Sequence, residues 1–304
     1  MVDLPLASAG WPPYSRRVAL RLIAVSDGAE IAVHDFGGSG RLAVLTHGTG
    51  FCAGMLGPVV VRLGDRFHSI TIDTRAHGAS PSPPNGDMTR PRLASDIMEI
   101  AGALEAPSEG LVGIGHSSGA HALLAAEVRR PGTFSALYCY EPIFPTSLFG
   151  PSTRSPNLDR TLRRRSRFSS REQAREHFNG RGSFATVAPE ALDAYIAEGV
   201  VEDLDGGVRL ACRPEDEAGI LASPIFYDSE TDLATIACPL HLAYGENNEA
   251  QGGRSVRHLA GIVAGATVTA LPGLGHLGPF ENPALVASWI ASIDDDALSE
   301  AAPT

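Results

Sequence analysis

The chain has 304 residues, 43% of them hydrophobic and 19% charged, so it can bury a substantial core and is not a disordered polymer. Its 24 basic against 35 acidic side chains give a formal net charge of −11, which disfavours nucleic acid and anionic membrane as partners. None of the basic residues is lysine. Schiff-base chemistry, a P-loop and a kinase-type lysine are therefore excluded, since each needs a side-chain amine.

Eight apolar runs of strand length follow one another: Val18–Ala24, Glu30–Phe36, Leu42–Thr46, Ser69–Ile72, Leu111–Gly115, Ala136–Tyr140, Leu240–Tyr244 and Thr267–Leu271. From the third onward, helical stretches separate most of them: Met55–Gly64, Arg92–Leu104, Ser118–Arg130, Ser255–Val263 and Pro283–Ile293. Continuous apolar strands alternating with helices predict an α/β fold with a mostly parallel sheet covered on both faces. The first two strands have no helix between them and predict an antiparallel edge. Between Glu141 and Cys238 the pattern breaks into a polar, Arg-rich stretch, read as helical without strands. Its aromatics (Phe144, Phe149, Phe168, Phe178, Phe184, Tyr195, Phe226 and Tyr227) suit a lid over a pocket and a small core of its own. The arginines around Arg163–Arg165 are expected to form a solvated helix face. The acidic tail from Asp294 is expected to be a frayed end.

The cysteines Cys52, Cys139, Cys212 and Cys238 show neither CxxC pairing nor metal-ligand spacing, so reduced thiols and no metal are expected. Met1–Pro13 lacks a basic region followed by an apolar one, and no apolar run reaches the roughly 18 residues of a membrane span. The expectation is a cytoplasmic protein without membrane contact. The oligomeric state is left open, a homodimer being one option.

Three loops at strand ends stand out. Gly115-His116-Ser117-Ser118-Gly119 joins a strand to a helix and has the form of a nucleophile elbow. Its glycines remove Cβ atoms that would clash in so tight a turn. The hydroxyl of Ser117 then projects at a helix N-terminus, where negative charge is stabilised. His47-Gly48-Thr49-Gly50 ends another strand in a Gly-rich loop. Acyl transfer needs two N–H donors for a developing oxyanion, and Thr49 and Ser118 are placed to supply them. In this reading His47 braces the loop. The third segment is Asp73-Thr74-Arg75-Ala76-His77-Gly78-Ala79-Ser80.

The succession strand–HGTG, strand–DTRAHGAS, strand–GHSSG and a late GLGH, spanning residues 42 to 276, resembles the α/β-hydrolase superfamily. The resemblance implies an eight-stranded, mostly parallel sheet with helices on both faces and a helical lid inserted after the sixth strand. Residues 1–141 and 238–304 would form the core and 142–237 the lid. Asp73 and Arg75 would be structural. The base would be His276 in Leu271-Pro272-Gly273-Leu274-Gly275-His276, from a loop able to reach Ser117. The family usually places an Asp after the strand that follows the lid, but here Asn248 stands at that place. Some members, certain lactone-opening hydrolases and haloalkane dehalogenases among them, carry the acid instead at the end of the strand beside the elbow strand. That position is Glu141, where a buried carboxylate would need a partner. Glu141 is favoured, with Glu249 and then Glu246 as the other candidates.

These residues imply a serine hydrolase that cleaves a carboxylic ester of a fairly apolar small molecule through an acyl-enzyme, with no cofactor. Phe51, Met55 and Phe144 are expected at the pocket wall. A lactonase is the nearest alternative. A C–C bond hydrolase, a perhydrolase or an acyltransferase would use the same residues. A non-catalytic receptor on a hydrolase shell is the alternative from another class.

Overall fold

Strands that must be buried on both faces are apolar throughout, and that is how the central runs behave: all six residues of Leu111–His116 are buried. A computed structural model describes residues 2–4, 19–108, 110–144, 156–223 and 230–301. The first part of the chain contains β1 (Val2–Leu4), β2 (Ala19–Ala24), β3 (Glu30–Asp35), β4 (Arg41–Thr46), α1 (Gly57–Leu63) and β5 (Phe67–Ile72). Then come α2 (Arg90–Ala103), β6 (Leu111–His116), α3 (Ser118–Arg129) and β7 (Phe134–Tyr140). The insertion holds α4 (Pro156–Arg163), β8 (Arg167–Phe168), α5 (Arg171–Phe178), α6 (Pro189–Glu198), β9 (Val200–Glu202), β10 (Val208–Leu210) and α7 (Pro214–Ala222). The chain closes with α8 (Glu230–Leu233), β11 (Leu240–Gly245), α9 (Arg254–Ile262), β12 (Thr267–Leu271), α10 (Gly278–Glu281) and α11 (Pro283–Ala301).

The main sheet runs β1-β2-β3-β5-β4-β6-β7-β11-β12. From β5 to β12 every pairing is parallel, while β2 and β3 pair antiparallel at the edge. All eight strands of the sequence pattern are present, and β1 adds a ninth outside β2. One face is covered by α2, α3 and α9, through Leu93, Ile97, Leu123, Leu124, Val256 and Leu259. The other is covered by α1 and α11, through Val59, Val60, Leu63, Val286 and Ile290. Chain order reverses where β4 lies between β5 and β6. The loops after β4 and β6 meet there beyond the strand ends, the place where open α/β sheets bind their ligands.

Two expectations need correction. The insertion is not purely helical: β8, β10 and β9 form a small antiparallel sheet. Its strands are only two or three residues long and carry Arg167, Glu202 and Arg209, so they lack an apolar signal. The hairpin does leave a trace in Asp205-Gly206-Gly207, where both glycines have positive φ. Phe168, Phe178, Phe184 and Tyr195 stack into the insertion's own aromatic core. Phe149, Phe226 and Tyr227 lie outside the described residues. The second correction concerns the C-terminus, which is not frayed from Asp294. There α11 continues to Ala301, and Asp294 is buried and paired with Arg41 and Arg66. The Arg-rich stretch is mostly exposed and paired: Arg167 with Asp203 and Asp205, Arg171 with Glu202, Arg175 with Asp193. The four cysteines are free, and among the described residues no helix is long and apolar enough to cross a membrane.

Arg75 is the largest fully buried side chain. Its guanidinium holds Asp96 by two bonds (Nε to Oδ2 2.8 Å, Nη2 to Oδ1 2.7 Å) and Asp27 by a third at 3.0 Å. It ties the loop after β5 to α2 and to the β2–β3 turn. Truncating one member of a buried pair leaves an uncompensated charge. Arg75→Met is expected to lower unfolding stability by about 3–5 kcal/mol in urea denaturation, with the exposed Arg163→Met near zero.

Candidate active site

The turn between β6 and α3 is tight enough to force Ser117 to φ 55°, ψ −119°, a conformation a non-glycine residue holds only when its surroundings over-determine it. Those surroundings are specific. A Cβ at Gly115 would press within 2.5 Å of Ala120 Cα, and one at Gly119 within 2.5 Å of the His47 carbonyl oxygen. The Ser117 N–H donates to the Tyr140 carbonyl at 3.0 Å, locking the elbow to the end of β7.

His276 arrives on the loop after β12. Its Nε2 lies 3.1 Å from Ser117 Oγ and its Nδ1 lies 2.6 Å from Glu141 Oε2. The structure therefore brings together the three residues singled out in the sequence. Glu141 is nearly fully buried at the end of β7, with positive φ. Besides His276, its carboxylate accepts from the Gly245 N–H at 3.0 Å and from Asn248 Nδ2 at 2.6 Å. Three donors compensate a charge that would otherwise be costly to bury. Asn248 thus stands at the family's usual acid position as a donor to the carboxylate from the neighbouring strand. The other candidate acids stand apart: Glu246 is exposed, and Glu249 is exposed and paired with Arg257.

The histidine loop is braced by residues that the sequence reading left without a role. His116 Nε2 donates to the His276 carbonyl at 2.8 Å, and burial holds the His116 imidazole neutral, its pKa pushed well below the usual range. Tyr140 OH donates to the Gly275 carbonyl at 2.7 Å, and the Asn247 amide to the Gly273 carbonyl at 2.8 Å. The signal for His116 was its place inside the elbow; Tyr140 and Asn247 gave none.

The loop after β4 packs on the elbow. A Cβ at Gly48 would come within 3.1 Å of Ser117 Cβ, and Thr49 Oγ1 donates to Ser118 Oγ at 2.8 Å. Within the loop, the Gly50 N–H donates to His77 Nε2 (2.9 Å) and the Phe51 N–H to the Gly48 carbonyl (3.2 Å). Ser118 opens α3, so its N–H has no carbonyl in a preceding turn. His47 is fully buried. Its Nδ1–H donates to the Gly48 carbonyl at 2.8 Å and its Nε2 accepts the Thr74 N–H at 3.1 Å, and burial lowers its pKa. Burial, then His47, pushes His77 down to about 3, so it accepts the Gly50 N–H as a neutral ring. Asp73 accepts from Ala53 N–H (2.7 Å) and His34 Nε2 (2.8 Å).

Of the residues expected at the pocket wall, Phe51 stands beside the site, its ring 6.4 Å from that of His116. Met55 and Phe144 do not line an open wall. Met55 is fully buried in the core under α1, and Phe144 packs edge-on against His258 of α9. Sequence proximity to the loops placed them at the wall, but core packing claims both side chains. One charged pair does face the loop: Arg164 and Glu217 are bonded to each other, and a Cβ at Gly50 would sit 3.1 Å from the Glu217 carboxylate. Among the described residues no group of His, Cys, Asp and Glu could hold a metal.

Residues 43–289 match the model of the alpha/beta hydrolase family, and the chain belongs to that family. It is 23% identical over 268 residues to 2-(acetamidomethylene)succinate hydrolase of Mesorhizobium japonicum, covering 85% of this chain and 89% of the relative. The crystal structure of E-2-(acetamidomethylene)succinate hydrolase superposes with TM-score 0.77 at 21% identity, over 92% of this chain and all of that one. N-formylmaleamic acid deformylase of Pseudomonas putida S16 gives 0.65 at 19% identity (90% and 99% covered). A malate-bound thermophilic esterase of Thermogutta terrifontis gives 0.68 at 20% identity (91% and 98% covered). The relatives are hydrolases, in keeping with hydrolase chemistry here.

Gly252 offers a direct test of the carboxylate's position. A Cβ there would come within 2.5 Å of Glu141 Oε1, while one at Gly261 would meet nothing within 4 Å. Gly252→Ala is expected to lower p-nitrophenyl ester turnover about 10²-fold, the scale of a 1 Å misplacement, with unchanged circular dichroism. Gly261→Ala should retain full turnover.

Proposed function

We propose that the protein is a serine hydrolase that cleaves the carbonyl–heteroatom bond of a small carboxylic ester through an acyl-enzyme. The observation that carries this is the continuous chain Ser117 Oγ–His276–Glu141, with contacts of 3.1 and 2.6 Å. Ser117 Oγ attacks the substrate carbonyl carbon while His276 Nε2 takes its proton. The imidazolium keeps its Nδ1–H on Glu141, whose negative charge stabilises it. The oxyanion is held by the N–H groups of Thr49 and Ser118. Collapse expels the alcohol, which takes the proton from His276. Water, deprotonated by the same ring, then releases the acid and restores Ser117. The insertion between β7 and β11 acts as a lid over this site, and the protein works in the cytoplasm on a small molecule.

A second reading is favoured by the relatives' names and by one pair of residues. Acetamidomethylene succinate and formylmaleamic acid are amides that carry carboxylates, and Arg164, the partner of the Glu217 carboxylate that lies beside Gly50, is a cation that a substrate carboxylate could compete for. In this reading the bond is C–N, and the same residues act in the same order. It also replaces the apolar substrate with an anionic one.

Turnover of p-nitrophenyl acetate and butyrate tests the core of the proposal, with an N-acyl amidocarboxylate as the competing substrate. Ser117→Ala and Glu141→Gln are each expected to lower kcat by about 10⁴, and Glu249→Gln to leave it unchanged. A rate that survives Ser117→Ala, or that Glu249→Gln abolishes, would overturn the assignment. Arg164→Met should raise KM for the anionic amide and leave the neutral esters alone if the second reading holds.

A further inference from the structure

Helix α6 ends in a carboxyl group that the chemistry above leaves unused. Glu198 reaches from α6 to the short 3₁₀ turn Ala53–Leu56, where its carboxyl packs against Gly54 and is favoured by the Gly54 N–H. A Cβ at Gly54 would collide with this carboxyl, so only glycine leaves room for it. Glu198 Oε2 is fully buried and has no hydrogen-bond partner among the described residues. A buried carboxylate with so little hydrogen bonding costs far more than the neutral carboxylic acid at the same place.

The groups that face it are Asp73 and His34 of the sheet and Cys52 beside the turn. The other helices against α6 meet it through different groups, Arg62 of α1 with Glu190 and Arg175 of α5 with Asp193. Burial pushes the Glu198 carboxyl up to about 8; Asp73 adds to the rise, and His34 and the Gly54 N–H oppose it. The turn is the direct continuation of the loop that carries Thr49. The other pins on that loop, His47, His77 and Asp73, come from the main sheet and its loops. Glu198 is a pin supplied by the insertion.

We propose that Glu198, as a neutral carboxylic acid, is a positioning residue that clasps α6 to the oxyanion loop through Gly54, and that its ionisation loosens the clasp; this takes the acyl-transfer role of that loop as given. The sign follows from linkage. The docked carboxyl binds its proton more tightly than a free one. Docking is therefore strongest at low pH and weakens tenfold per pH unit from roughly 4.3, the ordinary glutamate value, up to about 8. Above that it weakens no further.

The test compares wild type, Glu198→Gln and Glu198→Ala between pH 5 and 9, by p-nitrophenyl butyrate kinetics and by thermal unfolding. In wild type, kcat should fall on the alkaline side with an apparent pKa at or below about 8. Glu198→Gln, neutral at every pH and still able to accept the Gly54 N–H, should keep kcat and lose that limb. Glu198→Ala should lower kcat about tenfold or more at every pH, a modest misplacement, with KM less affected. The wild-type melting temperature should fall relative to Glu198→Gln as pH rises from 5 to 8. Equal melting–pH slopes in wild type and Glu198→Gln, or an alkaline limb retained by Glu198→Gln, would overturn the clasp. If Glu198→Ala does not fold, Glu198→Gln alone decides. The melting slopes need no turnover, so a difference in slope without hydrolysis of either the ester or the N-acyl amidocarboxylate upholds the clasp and refutes the acyl-transfer reading. Hydrolysis with equal slopes does the reverse.

Discussion

A carboxylate buried at the carboxyl edge of the sheet is the constraint around which the rest is arranged. Glu141 ends a strand that carries no basic residue, and nothing in that strand could neutralise it. Its three donors come from elsewhere: the backbone at Gly245, the amide of Asn248 and the ring of His276. To satisfy it, the chain must bring the ends of β7 and β11 and the loop after β12 to one point. The parallel register of β7 with β11, Tyr140 beside Ala243, does that. The imidazole then has one nitrogen committed to the carboxylate and the other aimed at Ser117.

Around this centre, polar groups are buried in large number but act as struts. His47, His77 and His116 are fully or nearly fully buried, and burial keeps their rings neutral. A neutral imidazole can donate from one nitrogen and accept at the other, and His47 and His77 each join two backbone segments this way without bringing in a charge, while His116 uses Nε2 alone. His47 links the loop after β4 to the loop after β5, and His116 links the elbow to the histidine loop. These three histidines tie backbone segments together beside an imidazole of the same type that faces Ser117.

What was legible in the sequence was what has a local signature. The buried strands announce themselves by unbroken apolar runs, the elbow by glycines flanking Ser117, and His276 by its place after the last strand. Glu141 was legible because a carboxylate at the end of such a strand needs a reason. The features missed depend on contacts between distant segments. The strands β8, β9 and β10 are too short and polar to show a period. Asp294 looks like part of an acidic tail until Arg41 and Arg66 are placed against it. Met55 and Phe144 follow the functional loops in sequence, but the packing of α1 and α9 decides where their side chains go.

Asn248 and Glu141 also say something about how such a site can change over time. Asn248 after β11 and His276 Nδ1 meet at the same oxygen, Glu141 Oε2, so a carboxylate delivered from either neighbouring strand would lie close to the imidazole. Exchanging the pair would preserve the charge and the donor count. Changing either alone would leave two acids in contact, or none. The two positions are therefore epistatically bound, and each arrangement resists drift one step at a time. The carboxylate that faces the imidazole is therefore found by its contacts and not by its position along the chain alone.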